Sequence, residues 1–248
     1  MAMNKNVDLV IVLDTSASMQ PCIDGLRAHL REILKPMQGH VATVRFGIVG
    51  LSASKGKNGT LYRIATLAGG SASIDGLYSA TNQYRYFTDD PDEVIHRLDQ
   101  LSISGDEDNL LALDIAMDHP FGPSTTHKRI IALFSDEKLE TGIDGAKSAE
   151  KIPRLIEKLH ARHIKLFCAM PFSDAALLLA QANGSEVEDI GDATGLASVD
   201  FRRLLSQIGK SISASTLQGS LEESFSPALY GQDKWNNTTE EFNKIDKT

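Results

Sequence analysis

The sequence lacks the features that place a protein in a membrane or outside the cell. It has only two cysteines, Cys22 and Cys168, so one disulfide at most could form. No stretch approaches the roughly 20 apolar residues that a membrane-spanning helix needs. An apolar run begins within the first ten residues, which leaves no room for a secretory signal. We therefore expect a cytoplasmic protein.

Positive charge is also scarce. The chain has 25 lysines and arginines against 33 aspartates and glutamates, a net charge of −8, and the basic residues form no evident cluster. Nucleic acids and anionic membranes are bound by clustered lysines and arginines that neutralise phosphates. We expect neither a nucleic-acid partner nor a membrane partner.

Several common catalytic motifs are missing. No GxGxxG loop follows the first apolar run, which argues against a dinucleotide site. The stretch that begins at Gly50-Leu51-Ser52 lacks the final glycine of a nucleophile elbow. The seven histidines are scattered, and no catalytic base is identifiable. We expect a protein that is not an enzyme, with one alternative kept open: a metal-dependent phosphohydrolase that uses Asp14 as its nucleophile.

What the sequence does contain is an alternation of apolar runs and amphipathic helical segments. This alternation predicts an α/β fold with a doubly wound, mostly parallel, six-stranded sheet and helices on both faces. The predicted strands include Val7–Leu13, Val41–Leu51, Ile130–Phe134, Ile164–Met170 and Val187–Ile190. Predicted helices cover residues 22–37, a segment from Pro91, and 109–118, 146–163, 175–182 (capped by Ser173) and 199–213. We assign residues 1–214 to one domain and 215–248 to a C-terminal extension, either flexible or a docking peptide.

Oxygen-bearing side chains follow two of the predicted strands. Asp14, Ser16 and Ser18 come directly after the first strand, and Asp136 comes after the strand Ile130–Phe134. The carboxyl ends of strands in an open α/β sheet are where ligands bind. Carboxylate and hydroxyl oxygens suit Mg²⁺, with Mn²⁺ or Ca²⁺ as alternatives, whereas zinc prefers histidine or cysteine. An ordinary helix cap at Asp14 and Ser16 is the competing interpretation.

These residues resemble the von Willebrand factor type A (vWA) family over roughly residues 6–214. The family's DxSxS loop is matched by Asp14, Ser16 and Ser18, and its third loop by Asp136. The resemblance implies a vWA, Rossmann-like fold with a metal-ion-dependent adhesion site (MIDAS). In the middle loop, the threonine that usually binds the metal is replaced by acidic residues. Asp106 and Glu107 are both open as the middle metal ligand, and a solvated surface turn is the alternative for each.

The resemblance also implies a function. Intracellular bacterial members of the family often accompany ATPases, kinases or phosphatases, as in tellurium-resistance clusters. We therefore expect a protein-interaction module in which the metal binds an Asp or Glu of another protein, within a bacterial stress or defence complex. A co-encoded ATPase, kinase or phosphatase is the expected kind of partner.

Two segments outside the core pattern support a third hypothesis, a scaffold that works without metal. Residues 52–84 are longer than a hairpin requires, although an edge-strand excursion explains them as well. The tail from Ser215 to Thr248 carries spaced aromatic residues, among them Trp235, which is typical of a docking peptide.

Overall fold

A computed structural model describes residues 5–57, 59–71, 73, 86–101, 103–106, 108–139, 150–191 and 198–217. In this part of the chain, seven strands form one mixed sheet in the order β4-β3-β2-β1-β5-β6-β7. Four of the six strand pairings are parallel, and the two that involve β3 are antiparallel. The α/β class and the mostly parallel sheet are as predicted. The predicted number of six strands is corrected to seven.

The strands and helices have the following bounds. The strands are β1 Asn6–Asp14, β2 Val44–Gly56, β3 Gly59–Thr66, β4 Gly69–Ser71, β5 His127–Phe134, β6 Ile164–Ala169 and β7 Glu186–Glu188. The α-helices are α1 Gln20–His29, α2 Pro91–Asp99, α3 Asn109–Met117, α4 Ile152–Ala161, α5 Asp174–Leu179 and α6 Phe201–Leu217. Short 3₁₀ turns cover Ala17–Met19, Leu30–Ile33 and Lys35–Met37. Among the described helices, none is both long and apolar enough to cross a membrane.

The apolar residues of β1 alternate between two cores, one on each face of the sheet. Leu9, Ile11 and Leu13 pack in the core formed with α1, α2 and α6. Val10 and Val12 pack in the core formed with α3, α4 and α5. Because both faces are covered by helices, β1 reads in the sequence as a continuous apolar run.

The segment predicted as one helix, residues 22–37, is shorter than expected. Helix α1 ends at His29, and two 3₁₀ turns follow it. Pro36 cannot donate a helical hydrogen bond to the Glu32 carbonyl, so a regular helix could not continue through it to residue 37. The apolar residues Leu30, Ile33 and Met37 are nevertheless buried, as the helical spacing indicated. The predicted helix start at Ser173 is confirmed, since its hydroxyl accepts from the Ala176 N–H at 3.2 Å.

Strand β2 extends beyond the end of β1. The last pairing between them joins Asp14 to Leu51, after which β2 pairs with β3 up to Gly56 and Gly59. We call residues 52–63 the hairpin arm. It accounts for the first part of the long segment 52–84, and residues 74–85 lie outside the described part of the chain. At the other end of the chain, the predicted domain boundary at residue 214 falls inside α6, and residues 218–248 are not among those described.

A buried ion pair lies at the end of the sheet where β1 and β2 begin, away from their carboxyl ends. Asp8 is fully buried and accepts two hydrogen bonds from the Arg45 guanidinium, each at 2.8 Å, and one from the Gly122 N–H at 2.7 Å. The guanidinium also lies 5.0 Å from the centre of the Phe87 ring. The strand register explains the pairing, because Asp8 and Arg45 are direct neighbours across β1 and β2. This end of the sheet therefore has a structural role.

His119 is buried beside this ion pair and makes the stability of the protein depend on pH. The Tyr86 and Phe87 rings lie edge-on to it at 5.3 and 5.9 Å. Burial lowers the pKa of His119 from 6.5 to about 4, although a backbone hydrogen bond at Ile115 and the charge of Asp118 raise it slightly. The unfolded chain therefore binds more protons than the folded chain between these pH values.

We expect the free energy of unfolding to fall as the pH decreases below 6.5. The stabilisation is complete above pH 6.5; about 2 kcal/mol is lost by pH 5 and about 3 kcal/mol by pH 4. Urea unfolding at several pH values measures this loss. The His119→Phe variant keeps a ring in place and should lose the dependence between pH 6.5 and 5, whereas His96→Gln, at an exposed histidine, should keep it. If the free energy of unfolding of His119→Phe falls between pH 6.5 and 5 as steeply as that of the wild type, His119 is not the source of the pH dependence.

Candidate metal centre

The loop after β1 holds three of the predicted ligands close together. Asp14 and Ser16 are buried, and Ser18 is exposed. The Ser16 N–H donates to Asp14 Oδ1 at 2.7 Å, and the Ser16 and Ser18 hydroxyls lie 3.0 Å apart. The Ser16 hydroxyl makes no capping hydrogen bond to the 3₁₀ turn that follows it. The helix-cap interpretation therefore does not account for this hydroxyl.

The end of β5 lies against the same loop. Ser135 donates its hydroxyl to Asp14 Oδ2 at 3.4 Å. The same hydroxyl oxygen accepts hydrogen bonds from the Asn109 side chain at 2.8 Å and from the Glu137 N–H at 3.1 Å. Ser135 thus joins the ends of β1 and β5 to the first residue of α3. The neighbouring Asp136 is consequently held at the same edge of the sheet.

Asp136 has the most unusual environment in the site. Asp136 is 1% exposed, and among the described residues neither of its carboxylate oxygens has a hydrogen-bond partner. An ionised carboxylate without a partner in the protein interior costs several kcal/mol. A cation beside it would offset that cost.

The charges of Asp14 and Asp136 both affect the pKa of the same thiol, that of Cys22. The Cys22 thiol is buried in α1, and burial raises its pKa well above the usual range. The negative charges of Asp136 and Asp14 raise the pKa of this thiol further. Two carboxylates from separate strand ends therefore lie within electrostatic reach of one side chain. Cys168, in β6, is also buried, and burial raises its pKa to about 12.

The middle loop contacts the first loop through its backbone. The Ser104 N–H donates to the Thr15 carbonyl at 2.9 Å, and Asp106 exchanges two backbone hydrogen bonds of 2.7 Å with Ala53. Gly105 has a φ of +89°, and a Cβ there would lie 2.3 Å from the Ala53 carbonyl oxygen, so this position requires glycine. The loop is thereby fastened to the hairpin arm beside the candidate ligands.

The acidic side chains of this loop differ in position. The Asp106 side chain is exposed, and within the described residues it makes no hydrogen bond or ion pair with Asp14, Ser16, Ser18 or Asp136. Glu107 lies outside the described residues. Asp108 is buried and caps α3, because its side chain accepts from the Leu111 N–H at 3.0 Å. The choice between Asp106 and Glu107 as the middle ligand stays a prediction.

The donor set fits a hard divalent cation better than zinc. In the described part of the chain, no group of three or more His, Cys, Asp or Glu side chains is placed to hold a metal. The candidate set instead combines two carboxylates, Asp14 and Asp136, with the hydroxyls of Ser16 and Ser18. Few charged ligands leave Mg²⁺ with bound waters, which is how this ion is usually held in proteins.

Sequence reasoning did not single out Ser135 and Asn109. Ser135 directly precedes Asp136, and Asn109 begins α3. Polar residues at such positions are also common as simple caps, so their local sequence carried little signal. The hydrogen bond between Ser135 and Asp14 joins residues 121 positions apart and becomes visible only in the folded chain.

The chain was compared with known proteins at three levels. No family model matches it, and no curated protein matches it. Among solved structures, two crystal forms of proximal thread matrix protein 1 from the mussel byssus are similar, each with 13% sequence identity over 84% of this chain and a TM-score of 0.49. The chain spans about half of that protein, 49% and 47% in the two forms. A functional proposal therefore has to stand on the residues of this chain.

Proposed function

We propose that the chain is a vWA-type interaction module that holds a divalent cation, Mg²⁺ in the first instance, at the carboxyl ends of β1 and β5. Asp14, Ser16, Ser18 and Asp136 supply the ligands, with Asp106 or Glu107 as the middle ligand. An Asp or Glu of a partner protein completes the coordination. Mn²⁺ and Ca²⁺ are the alternative ions, because they accept the same oxygen donors.

The observation that carries this proposal is the Asp136 carboxylate, which is buried and has no hydrogen-bond partner for either oxygen within the described part of the chain. The Ser16 and Ser18 hydroxyls add neutral oxygens from the loop beside it. Asp14 and Asp136 together balance the charge of a divalent ion, and an acidic middle ligand, Asp106 or Glu107, would strengthen retention of the ion while weakening its attraction for a partner's carboxylate. Proteins bind Mg²⁺ with several waters retained, and a partner's carboxylate can replace one of them.

The state of Asp14 favours binding over phosphohydrolase chemistry. Its side chain is 1% exposed, and its two oxygens accept hydrogen bonds from the Ser16 N–H and the Ser135 hydroxyl. A nucleophile needs an accessible oxygen in line with the group that it attacks. We therefore propose a protein that is not an enzyme. From the resemblance to the vWA family alone, we further propose that it acts in the cytosol as a scaffold within a bacterial stress or defence complex.

Loss of one serine ligand should weaken metal binding. We expect Ser16→Ala and Ser18→Ala each to lower the affinity for Mg²⁺ at least tenfold, because changes even in residues behind a metal ligand cost about 10–100-fold. Isothermal titration calorimetry with Mg²⁺ and Mn²⁺ measures the effect. Ser54→Ala, at an exposed serine of β2, is the matched control and should bind as the wild type does. Equal affinities in all four proteins would contradict the assignment of the ligands.

Partner binding should depend on the same site. Capture of a glutamate-containing peptide on immobilised protein should require Mg²⁺, and EDTA should reverse it. Asp14→Ala should abolish the capture. Capture that persists in EDTA would favour the metal-independent scaffold, and turnover of phosphate esters that Asp14→Ala removes would favour the phosphohydrolase.

A further inference from the structure

A pocket lies directly beside the first loop, on the face of the sheet that packs against α1, α2 and α6. Its volume is about 390 Å³. Its lining includes Thr15 of the first loop, Ser52 and Arg63 of the hairpin arm, and Gln100, just after α2. Because Thr15 stands between the candidate ligands Asp14 and Ser16, the pocket and the candidate metal centre share a wall.

The shape of the pocket follows from the sheet. Gly50 lies on its floor, and a Cβ at this position would lie 3.0 Å from the Leu101 side chain and 3.1 Å from that of Thr15. Ser52 and Arg63 are direct cross-strand neighbours in the antiparallel pair β2–β3, so their side chains share one face. Because β2 runs on past the end of β1, these two residues lie level with the loop that follows Asp14.

The described lining of the pocket carries positive charge and no negative charge. Arg63 is the charged residue among the described lining residues, and no described lining residue is acidic. The Arg63 side chain is exposed and, within the described residues, forms no hydrogen bond or ion pair. The other polar lining groups are hydroxyls and an amide, which are Thr15, Ser52, Tyr62, Ser71 and Gln100. A free guanidinium among neutral polar groups suits a carboxylate, which it can bind through two parallel hydrogen bonds.

We propose that this pocket receives a second acidic side chain of the same partner segment whose first Asp or Glu completes the metal site. The inference rests on the proposed function. The partner would be an acidic peptide segment with two carboxylates, one for the cation and one for Arg63. Recognition of two carboxylates at a fixed separation distinguishes this segment from the many single surface carboxylates of other proteins.

The test uses acetylated and amidated peptides that carry either one glutamate or two glutamates separated by one to four alanines. Their affinities for the full chain are measured by calorimetry in Mg²⁺. We expect one spacing to bind about tenfold more tightly than the single-glutamate peptide, since a charge-assisted bidentate pair adds energy and geometric selectivity. Arg63→Gln should remove this gain and leave unchanged the affinities for Mg²⁺ and for the single-glutamate peptide. Arg63→Lys should recover part of it.

The matched control is Lys57→Gln, which removes one positive charge from the exposed turn of the same arm, away from the pocket. It should keep the gain. A gain that survives in Arg63→Gln, or an equal loss in Lys57→Gln, would overturn the role of the pocket and indicate general electrostatic attraction. If no spacing gains affinity while the single-glutamate peptide still needs Mg²⁺, the pocket inference fails and the proposed function stands. Absence of Mg²⁺ binding in the wild type would overturn both.

Discussion

Asp136→Asn should stabilise the metal-free protein. In EDTA, the buried carboxylate of the wild type makes no hydrogen bond with any described residue, and its burial costs several kcal/mol. Asparagine has nearly the same shape but no charge, and a buried amide without partners costs less, about 1–3 kcal/mol. We expect the free energy of unfolding to rise by about 2 kcal/mol, or about 4–8 °C in the melting temperature for a chain of this size. Thermal unfolding in EDTA measures the difference.

The same variant should lose its response to metal. When Mg²⁺ is present at 100 times its dissociation constant, the wild type should gain about 2.7 kcal/mol, a rise of about 5–10 °C. Asp136→Asn should gain almost nothing, because the amide supplies no negative charge to the ion. Asp136→Asn should therefore be more stable than the wild type in EDTA and less stable than the wild type in Mg²⁺.

The control for Asp136→Asn is Asp89→Asn, at an exposed aspartate outside the site. This variant should melt close to the wild type in EDTA, since substitutions at exposed positions away from special features change stability by about 0.5 kcal/mol or less. It should also keep the full rise in Mg²⁺. If Asp136→Asn is instead less stable than the wild type in EDTA, the carboxylate has a structural role and the argument from its burial fails.

The second large effect concerns the ion pair at the end of the sheet where β1 and β2 begin. Asp8→Ala should lower the free energy of unfolding by about 3 kcal/mol, because it leaves the Gly122 N–H and the Arg45 guanidinium without their acceptor. The side chain of Arg45 is 37% exposed, so water can accept some of the hydrogen bonds that Arg45 loses with Asp8. Urea unfolding at neutral pH measures the loss. Mg²⁺ affinity should be unaffected in the folded fraction, since Asp8 lies at the far end of β1 from Asp14.

An exposed ion pair provides the comparison for Asp8. Asp24 contacts Arg27 at 3.2 Å, and the two side chains are 56% and 41% exposed. Asp24→Ala should cost about 1 kcal/mol or less, the range for surface pairs. Equal losses for Asp8→Ala and Asp24→Ala would show that burial of Asp8 does not decide its contribution.

The predictions from sequence were most accurate where one strand or helix determines its own pattern. The strands that end at Asp14 and Phe134 are continuous apolar runs because both faces of the sheet are covered, and the cap at Ser173 is a local hydrogen bond. An edge-strand excursion was one of the interpretations of residues 52–84, and β3 and β4 extend the sheet beyond β2 in this way. The bounds of the hairpin were not predicted, because the end of β2, residues 52–56, carries few apolar side chains. The broken helix after His29 was missed because the apolar spacing continued across Pro36.

The candidate site, too, was predicted best where its residues are close in sequence. Asp14, Ser16 and Ser18 are close in sequence, so their proximity in the fold follows from one loop. Asp136 was placed at the same edge by the rule that parallel strands end together. The middle loop could not be placed, because its position depends on the pairing of Asp106 with Ala53 in another strand. The pocket was not foreseen for the same reason, since Thr15, Arg63 and Gln100 come together only when β3 pairs with β2 beside the first loop.

The most direct test of the metal centre is a crystal structure of the chain grown in Mn²⁺, with anomalous difference density measured near the manganese absorption edge. The account predicts one strong peak at the carboxyl ends of β1 and β5, in contact with Asp136 and with the Ser16 and Ser18 hydroxyls. A map without a peak there, or with Mn²⁺ bound only at other surface carboxylates, would contradict it.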